Sequence, residues 1–196
     1  MLSYLLLRGR CRSCGTQFGL RYLAVELLTA ALVAACFLRF GLSADAFLAS
    51  FFVSVLVVLS AIDVERRILP DKIVLPSAVI VLAAQLALHP DRAVEWVVSS
   101  LGASLFLFLA LLAYPRGMGM GDVKLCLLLG AMLGWSVAVG LMIGMLAALV
   151  PAVALLARHG AAARKMKIPF GPFLAFGAVV ALFVGDGLLD AYLGSL

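Results

Sequence analysis

Residues 137–157 read VAVGLMIGMLAALVPAVALLA, a run of twenty-one residues without one charged side chain. At about 1.5 Å of rise per residue, such a run makes a helix of about 30 Å, which matches the hydrocarbon core of a bilayer. Runs of similar character fall at 23–40, 46–62, 73–88, 94–114, 123–135 and 173–192. The whole chain of 196 residues is 65% hydrophobic and only 13% charged, about half the charged fraction of a soluble domain. No soluble core absorbs that much apolar surface, so the pattern predicts an all-α, polytopic bundle of about seven transmembrane helices. Short loops leave room for a single membrane domain, 23–196, preceded by a short basic segment, 1–22. The run at 123–135 is the shortest, and the Gly134-Trp135-Ser136 break after it is tight, so a re-entrant hairpin at the fifth and sixth runs stands beside the full-span reading.

Charge placement tests this topology. With seven spans, one side receives Arg8, Arg10, Arg12, Arg21, Arg66, Arg67, Lys72, Arg116, Lys124, Arg158, Arg164, Lys165 and Lys167. The other side receives only Arg39 and Arg92. Basic residues in short loops accumulate on the cytoplasmic side of a membrane, so the division predicts a multi-pass inner-membrane protein with a cytoplasmic N-terminus. The net charge of +5 is then accounted for by topology and contact with anionic lipids, and nucleic acid is not expected as a partner. The apolar run Leu5–Leu7 is too short for a cleavable signal and is followed at once by arginines. The four cysteines divide into a Cys11-x-x-Cys14 pair and two isolated residues, Cys36 and Cys126, within apolar runs, which is not a disulfide framework.

Acidic residues inside or against a membrane span are costly, and so are candidates for function. Here they are Glu26, Asp63, Asp122 and Asp186. Asp63 ends the second run and Asp122 opens the fifth, with two complete spans between them, so parity returns both to the same side. Two carboxyl groups held at one depth in a low-dielectric site cannot both ionise cheaply, and the pair shares a proton. That is the state an aspartic protease needs: one carboxylate takes a proton from the attacking water, and the other, protonated, donates to the peptide carbonyl oxygen. The sequence leaves open which of the two starts ionised. Gly119 and Gly121, beside Asp122, remove side chains where a substrate backbone would approach, and equally permit close helix packing. A purely structural reading treats Asp122 as the N-cap of its helix and Asp63 as a partner of Arg66 and Arg67. Glu26 reads as an interfacial partner of Arg21 or Arg39, and Asp186, between Gly185 and Gly187, as a break in the last helix.

Taken together, four stretches resemble the type IV prepilin peptidase family, the GxGD-type aspartic proteases of bacterial inner membranes. They are Ile62-Asp63-Val64-Glu65-Arg66-Arg67-Ile68-Leu69-Pro70-Asp71, Gly119-Met120-Gly121-Asp122-Val123-Lys124-Leu125, Ile168-Pro169-Phe170-Gly171-Pro172-Phe173, and the start around Cys11 and Cys14 with Arg21-Tyr22 and Val25-Glu26-Leu27-Leu28-Thr29. The resemblance implies that Asp63 and Asp122 are the catalytic aspartates. It implies as substrate the basic leader of a type IV pilus prepilin or type II secretion pseudopilin, cut after a glycine just before a hydrophobic helix. Asp71 is expected to cap the third helix, Pro169 and Pro172 to set the entry of the last, and Lys124 to snorkel to the interface. Glu65 and Asp71 are the acids placed to meet a basic leader.

Family members of full length carry a further N-terminal span and two Cys-x-x-Cys pairs, which together can supply four thiolates to zinc. Here only Cys11 and Cys14 are present, so the chain reads as a short form or fragment with an incomplete metal site. Proteolysis by two carboxyl groups is expected to need no cofactor. The family's second activity, methylation of the new N-terminus with S-adenosylmethionine, is associated with the region this chain lacks, and no glycine-rich cofactor loop supports it. An alternative from another class remains, a proton- or solute-translocating protein using the same acids as a relay.

Overall fold

The computed structural model describes residues 20–114, 118–160 and 169–193. Among these, seven α-helices follow one another: α1 Leu20–Phe40, α2 Ala44–Arg66, α3 Asp71–Leu88, α4 Ala93–Ala113, α5 Met120–Leu133, α6 Val137–His159 and α7 Gly171–Leu193. Short 3-10 turns at Pro90–Arg92 and Gly134–Ser136 precede α4 and α6. Five helical segments are long and apolar enough to cross a membrane, with 120–158 counted as one of them, and the molecule is a helical membrane bundle. The last helix runs through Gly185–Gly187 without the expected break.

The residues divide into two compact units at Val57/Val58. In the first, α1 stops at Gly41, whose φ of +67° is open to glycine at little cost, and Gly41 N–H donates to Phe37 C=O at 2.9 Å. Ser43 Oγ accepts from Ala46 N–H at 3.2 Å and so caps α2. Phe37 meets Phe47 edge to face at 5.2 Å across this corner.

The second unit is organised around α5, whose residues Leu125, Cys126 and Leu128–Leu133 are all buried. At fourteen residues it is about 21 Å long, shorter than a bilayer core. Because protein surrounds it, its length need not match the lipid. A ladder of serines ties it to α4. Ser99, Ser100 and Ser104 donate to the carbonyls of Gly130, Leu127 and Val123 at 2.9, 2.8 and 3.1 Å, the acceptor number falling as the donor number rises, as antiparallel helices require. Hydroxyl-to-carbonyl bonds and small residues replace the missing hydrophobic drive between helices in lipid. Outward-facing Leu101, Leu105, Leu109 and Leu112 of α4 are exposed, whereas Ser99 and Ser100 are buried. On α3, buried Gln85 donates to Met132 C=O of α5 at 3.4 Å.

The second tight interface joins α6 and α7. Gly140 and Gly144, four residues apart on α6, receive Gly177 of α7 against their backbone, where a side chain on Gly177 would meet Gly144 Cα at 2.9 Å. By contrast α5 and α6 share little surface, so the turn at Gly134, with φ +56°, does not build a packed hairpin. It does reverse the chain. At one end of the unit, Trp135 N–H donates to Glu95 Oε1 at the start of α4, at 3.2 Å; Arg92 pairs with the same carboxylate at 2.7 Å and lies 4.8 Å over the Trp96 ring. At the other end, the starts of α5 and α7 come together. Hence α5 and α6 run out and back as separate legs.

Candidate active site

Asp63 lies in the last turn of α2. Its carbonyl accepts from Arg67 N–H at 2.8 Å, and Arg67 then takes φ +55°, a left-handed residue that ends the helix without the glycine usual at that place. Such a conformation costs about 1 kcal/mol or more for a residue with a Cβ and persists only where its surroundings hold it. Arg67→Gly is therefore expected to leave thermal stability in detergent unchanged or slightly raised, and Arg67→Val to lower it by about 1–2 kcal/mol. A stable Arg67→Val protein would show that this turn is not held as described.

The carboxylate of Asp63 faces α7. Gly171 is the first residue of that helix, and its N–H donates to Asp63 Oδ2 at 3.0 Å. The reason is local: the first-turn amides of a helix have no partner within it, Pro172 has no N–H, and Phe173 and Leu174 N–H both reach back to Phe170 C=O, at 3.1 and 3.2 Å. Gly171 N–H is thus left to the carboxylate, at the positive end of the helix dipole. The partner of Asp63 is this amide, and not Arg66 or Arg67 as a structural reading of the sequence would have it.

Asp122 is not the N-cap of α5. Gly119 holds that position and Asp122 is the third residue of the helix. Asp122 N–H donates to Gly119 C=O at 3.1 Å, while Asp122 Oδ2 accepts from Gly119 N–H at 3.2 Å, the reach-back of a capping box. Asp63 and Asp122 are both buried, with 6% and 7% of their surface exposed, and Leu69, packed on both Gly171 and Gly121, joins their surroundings. Each engages one oxygen with a backbone N–H, and the second oxygen of each has no hydrogen bond to a described residue.

Leu69 packs against both Gly121 and Gly171. A Cβ placed on Gly121 would lie 2.8 Å from Leu69 Cβ, and one on Gly171 would lie 3.5 Å from Leu69 Cδ2 and 2.8 Å from Asp63 Oδ2. The two motif glycines therefore differ. Gly121 is filled from within the chain by Leu69, whereas among the described residues a Cβ on Gly119 would meet nothing nearer than Asp122 Oδ2 at 3.7 Å. Asp71 does not cap α3: Pro70 is the N-cap, without a side-chain bond. Asp71 Oδ2 instead pairs with Lys124 Nζ at 2.6 Å. Cys11 and Cys14, the expected metal ligands, lie outside the described residues, and among the described ones no group of three His, Cys, Asp or Glu is placed to hold a metal ion.

The sequence motifs contain Gly171 and Leu69, but sequence alone gave neither a role. A usable signal for Gly171 was present, since prolines at 169 and 172 remove two donors and leave few amides at the helix start to face an anion.

Comparison with known proteins agrees with the four motifs. A model of the type IV leader peptidase family matches residues 50–194, and one of the bacterial peptidase A24 N-terminal domain matches residues 1–40. A prepilin leader peptidase/N-methyltransferase of Bacillus subtilis (strain 168) is 35% identical over 98% of this chain and 78% of its own length. Proteins of the same name from Burkholderia pseudomallei (strain 1026b) and Legionella pneumophila are 38% and 34% identical, over 94% and 99% of this chain. The chain covers 62% and 69% of those two relatives. No solved structure matches it. With a family model spanning most of the membrane bundle and both buried acids, the chain belongs to the type IV leader peptidase family and is a multi-pass membrane protein.

Proposed function

We propose that this chain is a membrane-embedded aspartic endopeptidase that removes the leader of type IV prepilins or type II secretion pseudopilins, with Asp63 and Asp122 as its catalytic pair. The observation that carries the reading is the convergence of these two buried carboxyl groups, from helices separated by two full spans, at one end of one compact unit. One carboxylate accepts a proton from water as its oxygen attacks the scissile carbonyl carbon. The other donates its proton to the carbonyl oxygen, and the tetrahedral adduct then collapses with proton transfer to the leaving amine. The amides of Gly171 and Gly119 hold one oxygen of each acid, leaving the other to face the reactants.

The site end of the unit bears Arg66, Arg67, Lys72 and Lys124, while Arg92 lies at the other end. That distribution supports a site at the cytoplasmic face of the inner membrane, with a cytoplasmic N-terminus. A substrate cut at the junction of a polar leader and a membrane helix meets catalytic groups at the same depth. The open side of Gly119 is where its backbone fits. A translocating protein would want acids spread through the bilayer, and these two lie together at one end, which disfavours that alternative. The test is incubation of the purified chain in detergent with a prepilin carrying its leader, read by mass spectrometry of the new N-terminus. Cleavage at the leader junction is expected, and an intact prepilin after prolonged incubation overturns the reading.

A further inference from the structure

The connection from α2 to α3 is four residues long, 67–70, and meets Asp63, Gly121 and Gly171. It begins at the left-handed Arg67, which is hydrogen-bonded to the Asp63 carbonyl. It carries Leu69, wedged between Gly121 and Gly171, and ends at Asp71. There Asp71 Oδ2 meets Lys124 Nζ at 2.6 Å, with the Lys124 side chain 30% and the Asp71 side chain 55% exposed. Lys124 is two residues beyond Asp122 on the same helix, and residues two apart on a helix point to opposite sides. Its ammonium is thus turned from the Asp122 carboxyl toward the connection. The same helix turn carries the proposed acid on one side and the fastening on the other.

We propose that Asp71 and Lys124 are positioning residues: their ion pair straps the strained 67–70 connection onto the first turn of α5 and so sets the spacing of Asp63 and Asp122. This rests on the catalytic reading of those two acids. The physical case is that the left-handed Arg67 stores strain that would open the connection, while packing of Leu69 on Gly121 fixes only its middle. The pair closes its far end. A half-exposed ion pair contributes modestly, so its loss is expected to open the strap part of the time rather than to unfold the protein. Small displacements of reacting groups are costly to rate, which places the effect in turnover more than in substrate binding.

Two readouts separate the strap from the dyad. In leader cleavage, Asp71→Asn and Lys124→Gln are each expected to lower kcat about fivefold to tenfold with KM little changed. Lys124→Arg should retain most of the rate, and the charge exchange Asp71→Lys with Lys124→Asp should recover most of what either single exchange variant loses. Independently of catalysis, hydrogen exchange is expected to quicken at 67–70 and 119–122 in Asp71→Asn and Lys124→Gln, to slow again in the charge exchange, and to stay unchanged at 140–150. If exchange at 67–70 is the same in these variants as in the unaltered chain, or the exchanged pair is no better than the single variants, the strap is overturned. If exchange responds as expected but the unaltered chain cleaves no prepilin, the strap stands and the peptidase reading fails.

Discussion

Asp63→Asn and Asp122→Asn are each expected to abolish leader cleavage, with a fall of at least about a thousandfold, while the protein inserts and folds as before. General acid–base groups contribute about 10²–10⁴-fold each, and a pair that shares one proton fails as a unit when either member is lost, so the double variant is expected to be no worse than the singles. Asn is the informative replacement because its amide oxygen can still accept from Gly171 N–H at position 63, or from Gly119 N–H at position 122, the bonds of 3.0 and 3.2 Å that the carboxylates make. Helix capping then survives and only the proton is removed. Prepilin processing in membranes, followed with thermal unfolding of the purified variants, distinguishes the two effects. Normal processing by either variant sinks the pair, whereas inactivity joined to a large loss of stability assigns that acid to structure.

The second large effect is steric. Gly171→Ala is expected to lower kcat by about a hundredfold, the scale of a catalytic group displaced by about 1 Å. A Cβ there would lie 2.8 Å from Asp63 Oδ2, so either the carboxylate swings off the Gly171 amide or the start of α7 retreats. Gly121→Ala presses on Leu69 Cβ at the same 2.8 Å, and neither partner is a flexible tip, so a comparable loss is expected through the 67–70 connection. Gly119→Ala is the contrast. Its φ of −94° and ψ of 152° suit any residue and its Cβ would meet no described atom nearer than Asp122 Oδ2 at 3.7 Å, so thermal stability is expected to be unchanged and any loss of cleavage to fall on KM, where the substrate backbone comes against the new methyl. Equal activity of all three alanine variants would contradict the packing around Leu69.

What sequence reading reached here follows from what apolar composition can express. Seven runs became seven helices because a backbone in lipid must satisfy its hydrogen bonds within the segment. The acids were legible because a carboxyl group at a span boundary stands out against leucine. Other features were not. Hydropathy could not tell that α5 is the central helix, since lipid tails are as apolar as a protein interior, and its run looks like any other span. Nor could spacing along the chain distinguish Gly121, filled by Leu69, from Gly119, left open; both are glycines two residues apart in one motif.

By itself, then, the sequence determined the membrane bundle, the seven helical runs of the described residues, the family and the two acids worth testing, because each of these depends on local composition and on parity along the chain. Tertiary structure alone decided that Gly171 N–H holds Asp63, that Asp122 sits third in its helix rather than at its cap, and that Asp71 answers Lys124 instead of its own helix end. The first and last of these join residues 108 and 53 positions apart, and which amide or ammonium a carboxylate meets across such a distance is settled by how helices pack, on which the local pattern is silent.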